Sequence, residues 1–240
     1  MRIKIKVESL KKKFSKKTIL NELNLNIFES ESLAIIGESG SGKSVLTRCI
    51  IGLVDFDSGT IRYEKIKNIK KLNSVEKNQY MSNFGVLFQN VALLDSLTVQ
   101  ENLQLAKKQR SYSSNIDAVA LPQTVLKKFP SELSVGVQKR IGIARAILKQ
   151  PDILILDEPT TGLDPIISKQ INILIKNLVK EKKLTTITVT HDMDSVYEFA
   201  DKTAFIKNGE IQWYGYARDI LISKNTELKN FIDGRENKDS

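Results

Sequence analysis

Cysteine is almost missing from this chain: one residue, Cys49, among 240. One thiol cannot close a disulfide within the molecule. Small disulfide-stapled folds are therefore excluded, and a reducing, cytoplasmic setting is expected. No apolar run approaches the ~20 residues that cross a bilayer, so no membrane-spanning helix is expected. The opening Met1–Val7 alternates like a strand and lacks the unbroken apolar stretch of a signal peptide. No internal repeat is visible, and histidine occurs once, as His191. Charge is lopsided, 37 Lys and Arg against 28 Asp and Glu, for a net +9. Yet the lysines fall in small clusters such as Lys11–Lys13, Lys70–Lys71 and Lys182–Lys183, with no aromatic residues interleaved for base stacking. Nucleic acid is not an expected partner. A solvated surface is the first reading of this charge, and adhesion to an anionic membrane face the second.

What is present is organised around Gly37-Glu38-Ser39-Gly40-Ser41-Gly42-Lys43-Ser44, which fits the P-loop pattern. The apolar stretch Ser32–Ile36 before it reads as a buried strand. Val45, Leu46, Cys49, Ile50 and Leu53 after it recur with helical spacing. Glycines let the backbone approach a phosphate closely, and a helix N-terminus adds a field that favours anions. Lys43 is placed to reach the β- and γ-phosphates of a nucleotide, and the Ser44 hydroxyl to ligate Mg²⁺.

Alternation in Ile3, Ile5, Val7 and in Leu23, Leu25, Ile27 predicts strands of an antiparallel sheet beside the nucleotide. Ser58-Gly59 is a turn signal before the short strand Thr60–Tyr63. Residues 64 to 83 are polar, lysine-rich and without a clear period, and are expected as surface connections. Phe84–Phe88 is a strand candidate ending at Gln89. Residues 91 to 149 read as mostly helical, broken by Pro122 and Pro130. Then follow a strand at 153–157, a helix at about 166–180, a strand at 184–190, a helix at about 192–200 and a strand at 203–207. That succession predicts a largely parallel sheet.

Ile153–Leu156 is an apolar strand running into Asp157 and Glu158. In P-loop NTPases the first such carboxylate helps hold Mg²⁺, and the next residue can polarise the attacking water as general base. The competing reading is a strand followed by a polar turn. His191, just past the strand Leu184–Val189, stands where ligands gather at strand ends of parallel sheets.

Taken in order, these residues resemble the ATP-binding subunit of an ABC transporter. Leu133-Ser134-Val135-Gly136-Val137-Gln138-Lys139-Arg140 is similar to that family's signature motif. Gln89 matches the Q-loop glutamine, a Mg²⁺ and water sensor. Thr161-Gly162-Leu163-Asp164 matches the D-loop, and His191 the switch histidine. Phe14 falls where the family stacks an aromatic on adenine. The resemblance spans residues 3 to 232. It implies a RecA-like α/β P-loop NTPase core with an antiparallel β edge and an inserted helical subdomain. The expected layout is one domain over 1–240: core about 1–90 and 150–220, helical subdomain about 91–149, C-terminal extension about 221–240.

The same resemblance implies the cofactors ATP and Mg²⁺ and a second copy of the chain in a head-to-tail dimer. Each ATP then lies between residues 37–44 of one copy and the signature residues Ser134 and Gly136 of the other, and Asp164 is also implied to bind nucleotide. Glu158, His191 and Gln89 are the implied catalytic set, and Ser44, Gln89 and Asp157 the metal set. An integral-membrane permease is the implied partner, with the chain peripheral on the cytoplasmic side of the inner membrane and Leu93-Leu94 as its docking region. One departure stands out: Val135 replaces a glycine, and valine disfavours positive φ.

Residues 85–102, 157–165 and the ending Phe231–Arg235 look most like Mla/Mkl-type ATPases of lipid traffic. This adds an MCE-type lipid-binding protein and a small accessory subunit as expected partners. Amino-acid importers share much of this wording and are the alternative, alongside a non-transport ABC ATPase. A nucleotide-binding scaffold without activity is suggested by Val135 and opposed by intact Lys43, Asp157, Glu158 and His191.

Overall fold

The computed structural model describes residues 2–234. Arg235 and the charged residues after it, which end the expected extension, lie outside the described part. Two sheets form the frame. Strands β1 (Ile3–Phe14), β2 (Lys17–Phe28) and β4 (Ser58–Tyr63) make an antiparallel sheet in the order β2-β1-β4. The second sheet contains β3 (Ser32–Ile36), β5 (Phe84–Leu87), β6 (Ile153–Asp157), β7 (Thr185–Val189), β8 (Lys202–Lys207) and β9 (Glu210–Tyr216). Its order is β5-β6-β7-β3-β8-β9, parallel except for the antiparallel pair β8–β9.

The central strands β3, β6 and β7 are buried along their whole length, which is why they read as continuous runs rather than as alternation. The period of two survives in where the side chains go. Ile153 and Ile155 join one core with Ile35, Ile187 and the Leu46 and Ile50 of helix α1 (Lys43–Ile51). Leu10, Leu20, Leu23 and Ile61 of the antiparallel sheet close that core from the other side, so α1 lies between the two sheets. Leu154 and Leu156 point the opposite way. They pack on Ile143 and Ile147 of α5 (Val135–Ile147) and on Ile171 and Ile175 of α6 (Pro165–Lys182).

Two expectations are corrected. Residues 64 to 83 hold more than surface connections: a 3-10 turn at Ile69–Lys71 and helix α2 (Ser74–Met81), opened by a reciprocal cap between Asn73 and Glu76. Tyr80 anchors α2, donating to the Ile50 carbonyl and meeting Tyr63 and Phe84 edge-on at 5.4 and 5.1 Å. With Tyr80 the one buried residue of α2, no apolar stripe marks the helix in the sequence. The 91–149 region is also less helical than expected. It contains α3 (Val99–Ala106), the short α4 (Ser113–Asp117), two 3-10 turns at Gln123–Lys127 and Pro130–Glu132, and α5, with irregular chain between them. Pro122 and Pro130 stand at the starts of those turns.

Further along, α7 (Met193–Phe199) precedes β8, and α8 (Thr226–Ile232) packs back through Leu228 and Phe231. Strand β9 and helix α8 have no counterpart in the sequence-based reading. No helix among the described residues is long and apolar enough to cross a membrane.

The edge strand β5 sits hard against the C-terminal end of α5. A Cβ on Gly85 would lie 2.2 Å from the Ala146 carbonyl oxygen and 2.8 Å from Pro151 Cγ. Gly85→Ala is therefore expected to destabilise the chain by about 1–3 kcal/mol through overpacking, read as a fall in melting temperature. An unchanged melting temperature would contradict this packing.

Candidate functional site

The turn from β3 into α1 is built by glycine. Gly37, Gly40 and Gly42 have φ of 149°, 78° and 107°, in the range that side chains avoid. A Cβ on Gly37 would lie 2.2 Å from the Ile206 carbonyl oxygen, so no other residue fits without moving β8. Lys43 is buried at the start of α1, and its ammonium donates to the carbonyls of Gly37 and Glu38 at 2.7 and 2.8 Å. Burial pushes the Lys43 ammonium below the usual lysine range, against the opposing pull of Glu158, Asp157 and Glu38. The Ser41 hydroxyl is buried without a partner. A cation folded onto its own loop, an orphaned hydroxyl and a helix N-terminus together fit an anionic phosphate chain.

Facing this loop, β6 ends at Asp157, whose Oδ1 accepts from the Ser44 hydroxyl at 3.2 Å. Burial pushes the Asp157 carboxyl above the ordinary aspartate range, although the Ser44 bond opposes the shift. A hydroxyl and a buried carboxylate in contact are a donor set that suits Mg²⁺. Glu158 turns away because its backbone is left-handed, φ 52°. Its N–H donates to the Val189 carbonyl at 2.9 Å, and its carboxylate accepts from Thr161 Oγ1 at 2.8 Å. His191 Nδ1 stands 3.0 Å from the same carboxylate.

A cleft of about 1170 Å³ opens beside these groups, although Asp157, Ser41 and Thr161 are not among the residues that line it. Residues 37–40 and 42–44 line it, as do Gln89 past the end of β5, Glu158 and His191. Phe14, at the exposed end of β1, forms part of its mouth, with the Lys12 ammonium 4.8 Å from the ring. Lys17, Lys207, Asn208 and Phe231 also line the cleft, and sequence reasoning missed all four. Phe231 arrives there because its ring packs at 5.3 Å on Phe205 of β8, and Lys207 pairs with Glu227 of α8. No local motif marks them.

Ser134, Gly136 and Asp164 do not line this cleft of their own chain. Ser134 is exposed at the head of α5 and makes no side-chain capping bond. Gly136 is buried, and a Cβ there would lie 2.8 Å from Ile167 Cγ2, so this glycine is also what lets α5 approach α6. Asp164 caps α6, accepting from the Ile167 N–H at 2.9 Å. Val135 is half-exposed in the first turn of α5 and is absent from the positive-φ positions. The strained loop that a valine could have imposed is not there. Lys139, within the stretch that resembles the signature motif, is 2 % exposed and reaches the carbonyls of Gln89 and Glu158.

Comparison with known proteins bears on this arrangement. A family model described as ABC transporter matches residues 20–161. The methionine import ATP-binding protein MetN of Clostridium tetani is 34% identical over 241 residues, covering 97% of this chain and 75% of that protein. The arginine transport ATP-binding protein ArtM of Bacillus subtilis is 35% identical over 240 residues, covering 95% of this chain and 98% of that protein. Among solved structures, the dimeric bacterial ABC transporter cassette MJ0796 has a TM-score of 0.80 at 29% identity, covering 89% of this chain and 99% of that one. The same cassette is also known as a dimer in a post-hydrolysis state with ADP and Pi.

The raised Asp157 carboxyl fixes the sign of a test. A carboxyl held above its unfolded value stabilises the fold in its protonated form; that contribution is present below the ordinary aspartate range and lost as pH rises through the raised value. At neutral pH, Asp157→Asn should accordingly raise the melting temperature of the nucleotide-free chain while abolishing extra stabilisation by Mg²⁺ over nucleotide alone. A lower melting temperature without nucleotide, or intact Mg²⁺ stabilisation, would contradict the assignment.

Proposed function

This chain belongs to the ABC transporter family, and we propose that it powers an importer whose cargo is an amino acid or a similar small solute. It is an ATP-binding subunit that hydrolyses ATP. Support for the cargo class comes from one observation: the match to ArtM runs along nearly the full length of both chains. Lipid traffic, the reading favoured by residues 85–102 and 157–165 and by the ending Phe231–Arg235, is not supported, because relatives that match over nearly the whole chain are named for methionine import, arginine transport and Fe(3+) ion import. The MCE-type lipid-binding protein is not supported as a partner either, and the accessory subunit has no other basis than that reading.

In this account the glycine turn and the head of α1 bind the triphosphate. Lys43 exchanges the carbonyls of Gly37 and Glu38 for phosphate oxygens. Ser44, Asp157 and Gln89 hold Mg²⁺, which when bound neutralises charge on the phosphates. Glu158 takes the proton of the attacking water, and His191 together with Thr161 orients its carboxylate. Phe14 stacks on the adenine. Ser134 and Gly136 of a second copy, at the head of its α5, supply the hydroxyl, N–H and helix field that one chain lacks at its own cleft.

The subunit sits peripherally at the cytoplasmic face, against a permease. Leu94 is half-exposed on the side of the 91–98 turn. Its backbone is clamped both ways by the buried Asn102 amide, through Leu94 N–H to Oδ1 at 2.8 Å and Nδ2 to the Leu94 carbonyl at 3.0 Å. A rigidly held apolar side chain is a suitable docking point for a permease helix.

The test is reconstitution with the permease and a solute-binding protein in proteoliposomes. An amino-acid-loaded binding protein should stimulate ATP hydrolysis several-fold, and Glu158→Gln should bind ATP, accumulate as a dimer and hydrolyse about a hundredfold more slowly. Stimulation by phospholipid in place of amino acids would contradict the cargo class, and normal turnover by Glu158→Gln would contradict its role.

A further inference from the structure

Helix α5 runs inward from Ser134, and its middle carries a charge that the mechanism above leaves unused. The hydrogen bonds of the buried Lys139 ammonium go to two backbone carbonyls, those of Gln89 at 2.7 Å and Glu158 at 3.0 Å. An ammonium has three donors and is costly to bury unless they are satisfied. Burial accordingly pushes Lys139 below the usual lysine range, opposed by the negative charges of Glu158 and Asp157. Packing alone does not call for a lysine here, since an unbranched apolar side chain of similar length fills the same space. The two carbonyls belong to the residues assigned to the metal and to the water.

Both segments need holding. A non-glycine residue in the left-handed region is strained and persists when its surroundings over-determine it. Glu158 is such a residue, and so are Val91 and Ala92, with φ of 55° and 54°. Arg145, further along α5, donates to the carbonyls of Val91 and Ala92. Helix α5 thus grips the turn after β5 at two points, and through Lys139 it also grips Glu158. Lys139 lies about 7.5 Å along the helix axis from Ser134.

We propose that Lys139 is a positioning residue that fixes the backbones of Gln89 and Glu158 to the signature helix. Engagement of the head of α5 by the second copy's nucleotide then sets the geometry of this chain's own base, coupling the two ATP sites of the dimer. This rests on the reading of Glu158 as base and of Ser134 as a contact across the dimer. The grip is made by donors, so a neutral donor of suitable length can replace the charge.

The experiment compares Lys139→Met, which removes the donors at similar length, with Lys139→Gln, which restores a neutral one. Lys139→Met should lower kcat about tenfold or more, as expected for a displaced base. Its ATP Kd and melting temperature should stay close to those of the parent chain, and the Hill coefficient for ATP should fall toward one. Lys139→Gln should recover most of kcat. A kcat for Lys139→Met within about twofold of the parent, or parallel losses of rate, affinity and melting temperature in both variants, would overturn the proposal. A second measurement needs no substitution at Lys139. In the Glu158→Gln chain labelled with ¹⁵N-lysine, the Lys139 ammonium resonance should shift when ATP drives dimer formation. An unmoved resonance while light scattering reports the dimer overturns the coupling. Failure of Glu158→Gln to form the dimer instead overturns the functional reading on which it rests.

Discussion

Two adjacent carboxylates must be kept from acting as one, and the structure depends on how that is done at the end of β6. Asp157 completes the strand, stays buried and meets the Ser44 hydroxyl. Glu158 leaves the strand through a left-handed backbone that sends its carboxylate to Thr161 and His191 instead. Burial raises the Asp157 carboxyl, and the negative charge of Glu158 is among the further causes. In the proposed function this separation would leave Asp157 for a metal and Glu158 for a water. The surrounding grip of Val189, Thr161, His191 and Lys139 is the physical requirement for keeping Glu158 in that conformation.

The rest of the core serves that junction. Because β3 and β6 flank β7 in a parallel sheet, the glycine turn after β3 and the carboxylates after β6 emerge at the same edge, with His191 just past β7 between them. Sheet order therefore brings together the residues proposed to meet phosphate, metal and water, and the glycine turn and the left-handed Glu158 set their local geometry. What the sheet order does not bring to this edge are Ser134, Gly136 and Asp164. Their absence from the cleft of their own chain, together with the dimeric state of the MJ0796 cassette, is what makes a site shared between two copies the economical account.

Legibility in the sequence followed burial. Strands β3, β6 and β7, covered on both faces, stand out as apolar runs, and the glycine pattern after β3 can be read because only glycine tolerates that backbone. Strand β9 escapes because it is an edge strand of alternating exposure with Gly215 in it, and α2 because one tyrosine anchors it. Lys139 escapes for another reason: a lysine beside an arginine reads as surface, and its burial follows from the meeting of α5 with two strand ends distant in sequence. The consequence of Val135 depends on a φ angle that no residue pattern encodes. Cargo is illegible because nothing in the chain need touch it. Short stretches resembling lipid-traffic ATPases pointed to a cargo class that the names of relatives matching over nearly the whole chain do not support.

The most direct test of the shared site is a cross-link between its two halves. Ser39 lies exposed in the glycine turn and Ser134 exposed at the head of α5. A chain carrying Ser39→Cys, Ser134→Cys and Cys49→Ala, treated with a short thiol cross-linker, should give covalent dimers with a non-hydrolysable ATP analogue and few without it. Equal yields in both conditions, or no covalent dimer in the presence of nucleotide, would contradict a nucleotide clasped between two copies.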